Sequence, residues 1–591
     1  MLFQTKLHKY IYSITIRPHG TFSVNPRNNP HNHKLNHNPR RGLKTNAIME
    51  KEDHSTFYDV HMHAYNLSHP GLLLFANRFL RNIRLTFSDL TSLRLFSLMA
   101  KILIKKEKGH DTVLRKRIAG YLFLILLVSP LVLFVLSLLA GLLVAGLITV
   151  ILLILSILFL LPFLIDKLNN GLKPGTIKSA LNMFSLFEND LARQFRYLEL
   201  DYMSLNPAIE IAVGSFAPDI APAEINNQLK EIWEGGAVNK KFRINGEFYS
   251  KVVLTPLIMD FGFKGFEKEN FEAIHYKLQP RKAVLDQTHD LFRGIWNYYN
   301  YSNFDLLNIY PFLGINPVLY KDEQEITKVL DKYFKQFSSE DTKAGRTELL
   351  ENKRIAFAGS GSGSDDSFYY FAGIKLYPPL GFNPWPKDND YKNIKGINID
   401  KEQAKVEALY DYCIGRKIPV TVHCSDGGFK VIDRQEHNAF TSPGKWRRVL
   451  ENKRGLTLNL AHAGFQSYNM KPGNHWGGWL KIILEMIKTG GEAFQNLYLD
   501  ISDLGGPDAS YEKFCEAIGR FKKLLPVSEQ KKFTETLNAK ILFGTDFMVN
   551  LFHLGSYLEH LGIFSETKAF DNIKLDKDKF CTTNAEMFLF G

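Results

Sequence analysis

The chain of 591 residues exceeds one ordinary domain, so one large domain with additions is the expected organisation. Its net charge of +12 is concentrated at one end, residues 1–49 carrying eight Lys or Arg and no Asp or Glu, which argues against nucleic acid as a partner. Four widely spaced cysteines, Cys413, Cys424, Cys515 and Cys581, exclude a disulfide framework and fit reduced thiols in a cytosolic compartment.

Residues 1–48 are rich in Asn, His, Pro and basic side chains without apolar periodicity. They read either as a disordered tail or as an over-long reading frame whose start is Met49. Phe57 to His61 reads as the first strand. In a strand, residues two apart point to the same side, so His61 and His63 of Asp59-Val60-His61-Met62-His63 present two imidazoles to one ion. Residues 72–108 alternate apolar clusters with Arg78, Arg81, Arg84 and Lys101, a basic amphipathic pattern suited either to anionic lipid or to a solvated helix face.

Ile118 to Ile165 is an uncharged run of 48 residues. One bilayer crossing needs roughly 20, so the run suits two transmembrane helices, expected at 118–138 and 143–165. Residues 176–202 read as a helix with Leu191, Phe195 and Leu198 at helical spacing. Strand-like runs resume at 251–257 and 308–314, an amphipathic helix is expected over 321–337, and Gly359 to Asp366 is a loop.

Three later apolar runs end in metal-capable side chains: Ile418 to His423, Leu456 to His462, and Ile541 to Asp546. Short apolar strands of this kind suit a parallel sheet buried on both faces, and a parallel barrel gathers their ends on one face. With His61-Met62-His63, and with Gly373-Ile374-Lys375-Leu376-Tyr377-Pro378-Pro379, Val422-His423-Cys424-Ser425-Asp426-Gly427, Ala461-His462-Ala463-Gly464 and Asn584-Ala585-Glu586-Met587-Phe588, the chain resembles the amidohydrolase superfamily. The branch it resembles is the amidohydrolase-related metal-dependent hydrolases, which also contains decarboxylases. The likeness covers roughly 57–65 and 250–591.

The resemblance implies an α/β fold, a TIM-type (β/α)8 barrel (55–66 and 250–591) interrupted after its first strand by a helical insertion (67–249) that contains the membrane hairpin. It implies His61, His63, His423 and Asp546 as ligands of one divalent metal ion, expected to be Zn2+, with His462 and Asp546 handling protons. Lys375 carries two readings: a carbamate bridging a second ion, or a contact to an anionic or carbonyl part of the substrate, with Tyr377 facing the same way. Among residues of the loops after the strands, Trp385, Asp426, Arg434, His475 and Trp476 are candidates for lining the pocket, and His475 is singled out as substrate-binding.

Because His61 and His63 precede the apolar run and His423 and Asp546 follow it, the number of crossings must be even. Arg115-Lys116-Arg117 before the run and Lys167, Lys173 and Lys178 after it place both ends, and the catalytic domain, on the cytoplasmic side of the membrane. The expected function is a membrane-anchored metal-dependent hydrolase of an amide, ester or lactone-type bond. The alternatives are a decarboxylase built on the same residues and a silent membrane-tethered scaffold. The partners are a small-molecule substrate, amphiphilic if the hairpin turns the catalytic mouth toward lipid, and the bilayer itself; a homo-oligomer is compatible with this reading.

Overall fold

Strand β1 (Thr56–Met62) begins with Thr, Phe and Tyr, side chains that suit a pleated buried surface, and from Phe57 onward every residue is buried. The structure is a computed structural model that describes residues 56–64, 69, 191–209, 211, 222–235, 240–260, 284–302, 304–392, 394, 396–428, 432, 434–466, 476–504, 510–552, 554 and 556–591. The tail 1–48, the basic segment 72–108, the helices expected at 118–138 and 143–165, and His475 lie outside the described residues. Among the described residues no helix is long and apolar enough to cross a membrane.

A small antiparallel hairpin, β2 (Phe242–Ile244) and β3 (Glu247–Tyr249), leads into β4 (Lys251–Pro256). β4 lies between β1 and β5 (Leu307–Ile309) in a three-stranded parallel sheet, with Phe57 opposite Val252 and Val253 opposite Asn308. A second parallel sheet runs β6 (Phe312–Gly314), β7 (Gly373–Leu376), β8 (Val420–His423), β9 (Leu458–Ala461), β10 (Leu497–Asp500) and β11 (Ile541–Leu542), in that spatial order. Isolated bridges join the sheets at both edges, Met62 with Phe547 and Leu257 with Phe312, and the Val60 N–H donates to the Phe543 carbonyl.

The run 308–314, expected as one strand, is two. Pro311 has no N–H to give a ladder, so β5 ends before it and β6, beyond it, pairs with β7 instead of β4. The helix expected over 321–337 spans Glu323–Phe334, capped by Asp322, whose carboxylate accepts the Glu325 N–H.

Helix α1 (Leu191–Met203) is the described end of the helix expected over 176–202, and it buries Leu191, Phe195 and Leu198. Helix α1 and the β2–β3 hairpin pack directly on β1: the Phe57 ring meets Tyr202, Phe242 and Tyr249 edge-on at 5.8, 6.3 and 5.4 Å, and Phe543 of the last strand region at 5.3 Å.

After β11 the chain must pass hard against β1. A Cβ built on Gly544 would lie 2.5 Å from His61 Cβ and 3.2 Å from His61 N. Gly544→Ala is therefore expected to lower stability by about 1–3 kcal/mol, the usual range for overpacking, measured as a fall in the denaturation midpoint.

Candidate metal centre

Strand β1 delivers its two histidines as the two-residue period requires, and each ring is oriented by its Nδ1. His61 Nδ1 lies 2.9 Å from Asp500 Oδ2, and His63 Nδ1 lies 2.9 Å from the Leu257 carbonyl oxygen. With each Nδ1–H donating outward, both Nε2 lone pairs point inward, the arrangement that outer partners impose on metal-binding imidazoles.

Asp546, just beyond β11, faces them. Its Oδ1 is 3.4 Å from His61 Nε2 and 3.3 Å from His63 Nε2. The backbone holds it there, since the Asp546 and Thr545 N–H groups both donate to the His61 carbonyl. His61 Nε2 and Asp546 Oδ1 are buried and have no hydrogen-bond partner. Ligand bonds of about 2.0–2.1 Å at tetrahedral angles separate donor atoms by about 3.4 Å, so the three groups fit a divalent cation. Burial pushes the Asp546 carboxyl up, and the neighbouring imidazoles of His63, His462 and His61 draw it the other way, for a net shift below the usual carboxylate range.

A second triad of donors, His61, His462 and Asp500, also converges within 4.8 Å, but its atoms are already engaged, His61 Nδ1 with Asp500 and the His462 ring nitrogens with Ser502 and His423. Asp500 accepts from His61 Nδ1, Asn459 Nδ2 at 2.7 Å, the backbone N–H groups of His462 at 3.0 Å and Ser502 at 3.1 Å, and the Ser502 hydroxyl. Burial raises the Asp500 carboxyl, and His61 together with these donors more than reverses that, so Asp500 is ionised. Burial in turn pushes the His61 imidazolium down to about 3, against the pull of Asp500, which leaves a neutral ring free to ligate. Asp500→Asn is expected to weaken metal binding by about 10–100-fold, measured by competition with a chelator.

The Ser502 hydroxyl donates to Asp500, so its oxygen accepts from His462 Nδ1 at 2.9 Å. His462 Nε2 then faces His423 Nδ1 at 3.1 Å, and the two rings meet edge-on with centroids 4.8 Å apart. Burial lowers the pKa of both histidines, and His462 and Lys375 lower that of His423 further, so both rings are neutral. His423 reaches the triad only through His462; its other nitrogen lies 3.3 Å from the Gly427 carbonyl oxygen.

Lys375 on β7 is buried among these groups. Its Nζ has no hydrogen-bond partner and lies 6.0 Å from the Tyr377 ring. Burial lowers its pKa to about 8, opposed by the Asp500 and Asp546 carboxylates. Tyr377 stacks at an angle on His423, ring centroids 4.6 Å apart. Trp385, Asp426 and Trp476 are buried, and Trp476 packs on Phe465 and Phe514. The Cys424 thiol is fully buried and pushed up by burial, which removes it as a nucleophile.

Of the residues singled out in the sequence, the structure brings together His61, His63 and Asp546, sets His462 and His423 beside them, and aims Lys375 into the same space. Asp500, Ser502 and Asn459 were missed. The signal was present in Leu497-Tyr498-Leu499-Asp500-Ile501-Ser502, an apolar run whose two polar side chains are spaced by two, as in His61-Met62-His63.

No family model matches the chain, and no curated protein matches it. Among solved structures the chain is similar to dihydroxybenzoic acid decarboxylase from Polaromonas sp. JS666, solved with manganese and 2-nitroresorcinol. The identity is 12% and the TM-score 0.29, over 66% of this chain and 93% of that one. A 2,6-dihydroxybenzoate decarboxylase solved with 2,6-dihydroxybenzoate gives the same identity and TM-score, over 64% and 93%. At these values the functional reading rests on the site's own chemistry.

Proposed function

We propose that the chain is a metal-dependent enzyme of small carboxylate-bearing molecules, and that removal of a carboxyl group is its reaction. One observation carries the reading: two buried, unpartnered lone-pair atoms, His61 Nε2 and Asp546 Oδ1, share a region with a buried, unpartnered amine, Lys375 Nζ. The first two call for a cation and the third for an anion. His61, His63 and Asp546 would hold the divalent ion, with His423 joining them on a turn of its ring away from Gly427.

When bound, the ion supplies a Lewis acid that draws charge from a substrate oxygen. Lys375 binds the substrate carboxylate and Tyr377 forms the wall beside it. His462, its Nδ1 fixed by Ser502, moves a proton at Nε2. Imidazole donors make zinc the first expectation for the ion and manganese its competitor.

Hydrolysis of an amide, ester or lactone is the second reading. It is favoured by the neutral state in which burial holds His462, since a neutral imidazole can take a proton from water. In either case a TIM-type barrel, in which β5 and β6 count as one interrupted strand, supplies the frame, and the uncharged run 118–165 anchors it on the cytoplasmic face of a membrane, with the mouth turned toward amphiphilic substrates.

The test is a screen of zinc- and manganese-loaded protein against hydroxylated aromatic and enolic carboxylic acids, 2,6-dihydroxybenzoate included, beside amides, esters and lactones. Carbon dioxide released in step with loss of an acid supports decarboxylation. Cleavage of a lactone or amide with no carbon dioxide from any acid would replace it by the hydrolytic reading.

A further inference from the structure

Helix α1, in the part of the sequence set apart as an insertion, reaches the strands that carry the candidate ligands through a file of buried hydroxyls. Tyr202, in the last turn of α1, is fully buried and its hydroxyl lies 2.5 Å from that of Tyr557. Tyr557, the first residue of helix α2 (Tyr557–Glu566), donates to Asp59 Oδ2 at 2.9 Å. Since the Tyr557 proton goes to Asp59, its oxygen accepts the Tyr202 proton.

Asp59 accepts three more hydrogen bonds: from the His61 N–H at 3.2 Å, the Thr545 N–H at 3.1 Å and the Thr545 hydroxyl at 2.6 Å. One of these amides belongs to His61 and the other to the residue before Asp546, its N–H shared with the His61 carbonyl, so the Asp59 carboxylate braces, beside those backbone bonds, the two segments that carry the opposed donors. The same side of α1 is tied down one turn earlier: Glu199 accepts from Tyr298 and Ser302 hydroxyls at 2.5 and 2.6 Å and from the Leu306 N–H at 3.1 Å. A buried carboxylate is costly to desolvate, and a pair of apolar side chains would fill the same volume without that cost. What the carboxylate adds is direction at two backbone amides.

We propose that Asp59, Tyr557 and Tyr202 are positioning residues for the metal ligands, which makes α1 of the insertion part of the frame of the metal centre. The proposal rests on the metal-centre reading. The test uses the full-length chain and zinc alone, with affinity read by competition against a chromophoric chelator and ligand geometry by the visible absorption of the cobalt-substituted protein.

Tyr557→Phe is expected to weaken zinc binding by about 10–100-fold and to alter the cobalt spectrum. Tyr202→Phe should act in the same direction by less, and should add nothing in the Tyr557→Phe background. Tyr249→Phe is the control, since Tyr249 packs on Phe57 but its hydroxyl is directed to Asp578 and Cys581; it should bind zinc as the wild type does.

Wild-type affinity in Tyr557→Phe, an equal loss in Tyr249→Phe, or an additive loss in the double variant would each overturn the relay while leaving the metal centre standing. A wild-type chain that takes no zinc and no cobalt would bring down the metal-centre reading, and the relay with it.

Discussion

Asp546→Ala is expected to abolish turnover, and His61→Ala to do the same. Each removes one of two buried atoms that face each other at 3.4 Å without a hydrogen-bond partner, so neither loss can be made good from within the protein. Affinity for the ion should fall by more than the roughly 100-fold typical of losing an outer partner of a ligand. Asp546→Ala carries a second effect: it deletes the carboxylate that, with Asp500, favours the charged form of Lys375, so the amine loses part of its counter-charge. His61→Ala leaves Lys375 its carboxylates but strips Asp500 of its imidazole donor. Metal content and initial rate on the same preparations check both, and a variant that keeps its ion and its rate would show that the facing lone pairs are not the ligand set.

Lys375→Met should separate function from stability, with opposite signs. On the functional side, removing a buried charge that meets a substrate carboxylate costs about 2–5 kcal/mol, a loss of about 30-fold to several thousand-fold in kcat/KM. On the stability side, burial has lowered the Lys375 pKa from 10.5 to about 8. Between those values the folded, metal-free chain binds fewer protons than the unfolded one, so wild-type stability rises as pH climbs from 8 to 10.5, and the penalty is present in full below pH 8. A difference of 2.5 pKa values corresponds to about 3 kcal/mol as an upper figure. Metal-free Lys375→Met is therefore expected to outlast the wild type in denaturant at pH 7, with the advantage fading by pH 10.5. Denaturant melts of both proteins across that range check it, and a variant less stable than wild type at pH 7 would mean that Lys375 has a compensating partner.

The part of this site that the sequence discloses is the part governed by periodicity. His61 and His63 are two apart in a strand, and His423, His462 and Asp546 each close an apolar run, so strand physics alone puts them at one end of a parallel sheet. Asp500 obeys the same rule at the end of β10, but a lone carboxylate after Leu-Tyr-Leu reads as a strand ending rather than as the support of an imidazole, and its role comes from donors on β1, on β9, in the turn after β9 and at Ser502. The direction of the His423 ring is a rotamer choice set by His462 and Gly427, which no spacing encodes. The break at Tyr310-Pro311 was legible in principle, because proline cannot extend a ladder. The hydroxyl pair of Tyr202 and Tyr557 was not: the partners are 355 residues apart, and each taken alone is an ordinary aromatic on an amphipathic helix.

The measurement that bears most directly on the metal centre is the elemental content of the full-length chain, purified without added metal and dialysed. One zinc or manganese per chain, lost in Asp546→Ala, is the predicted result. Two ions per chain would turn Lys375 from a free amine into a bridging ligand, and a folded chain that holds none, even after incubation with either ion, would contradict the account.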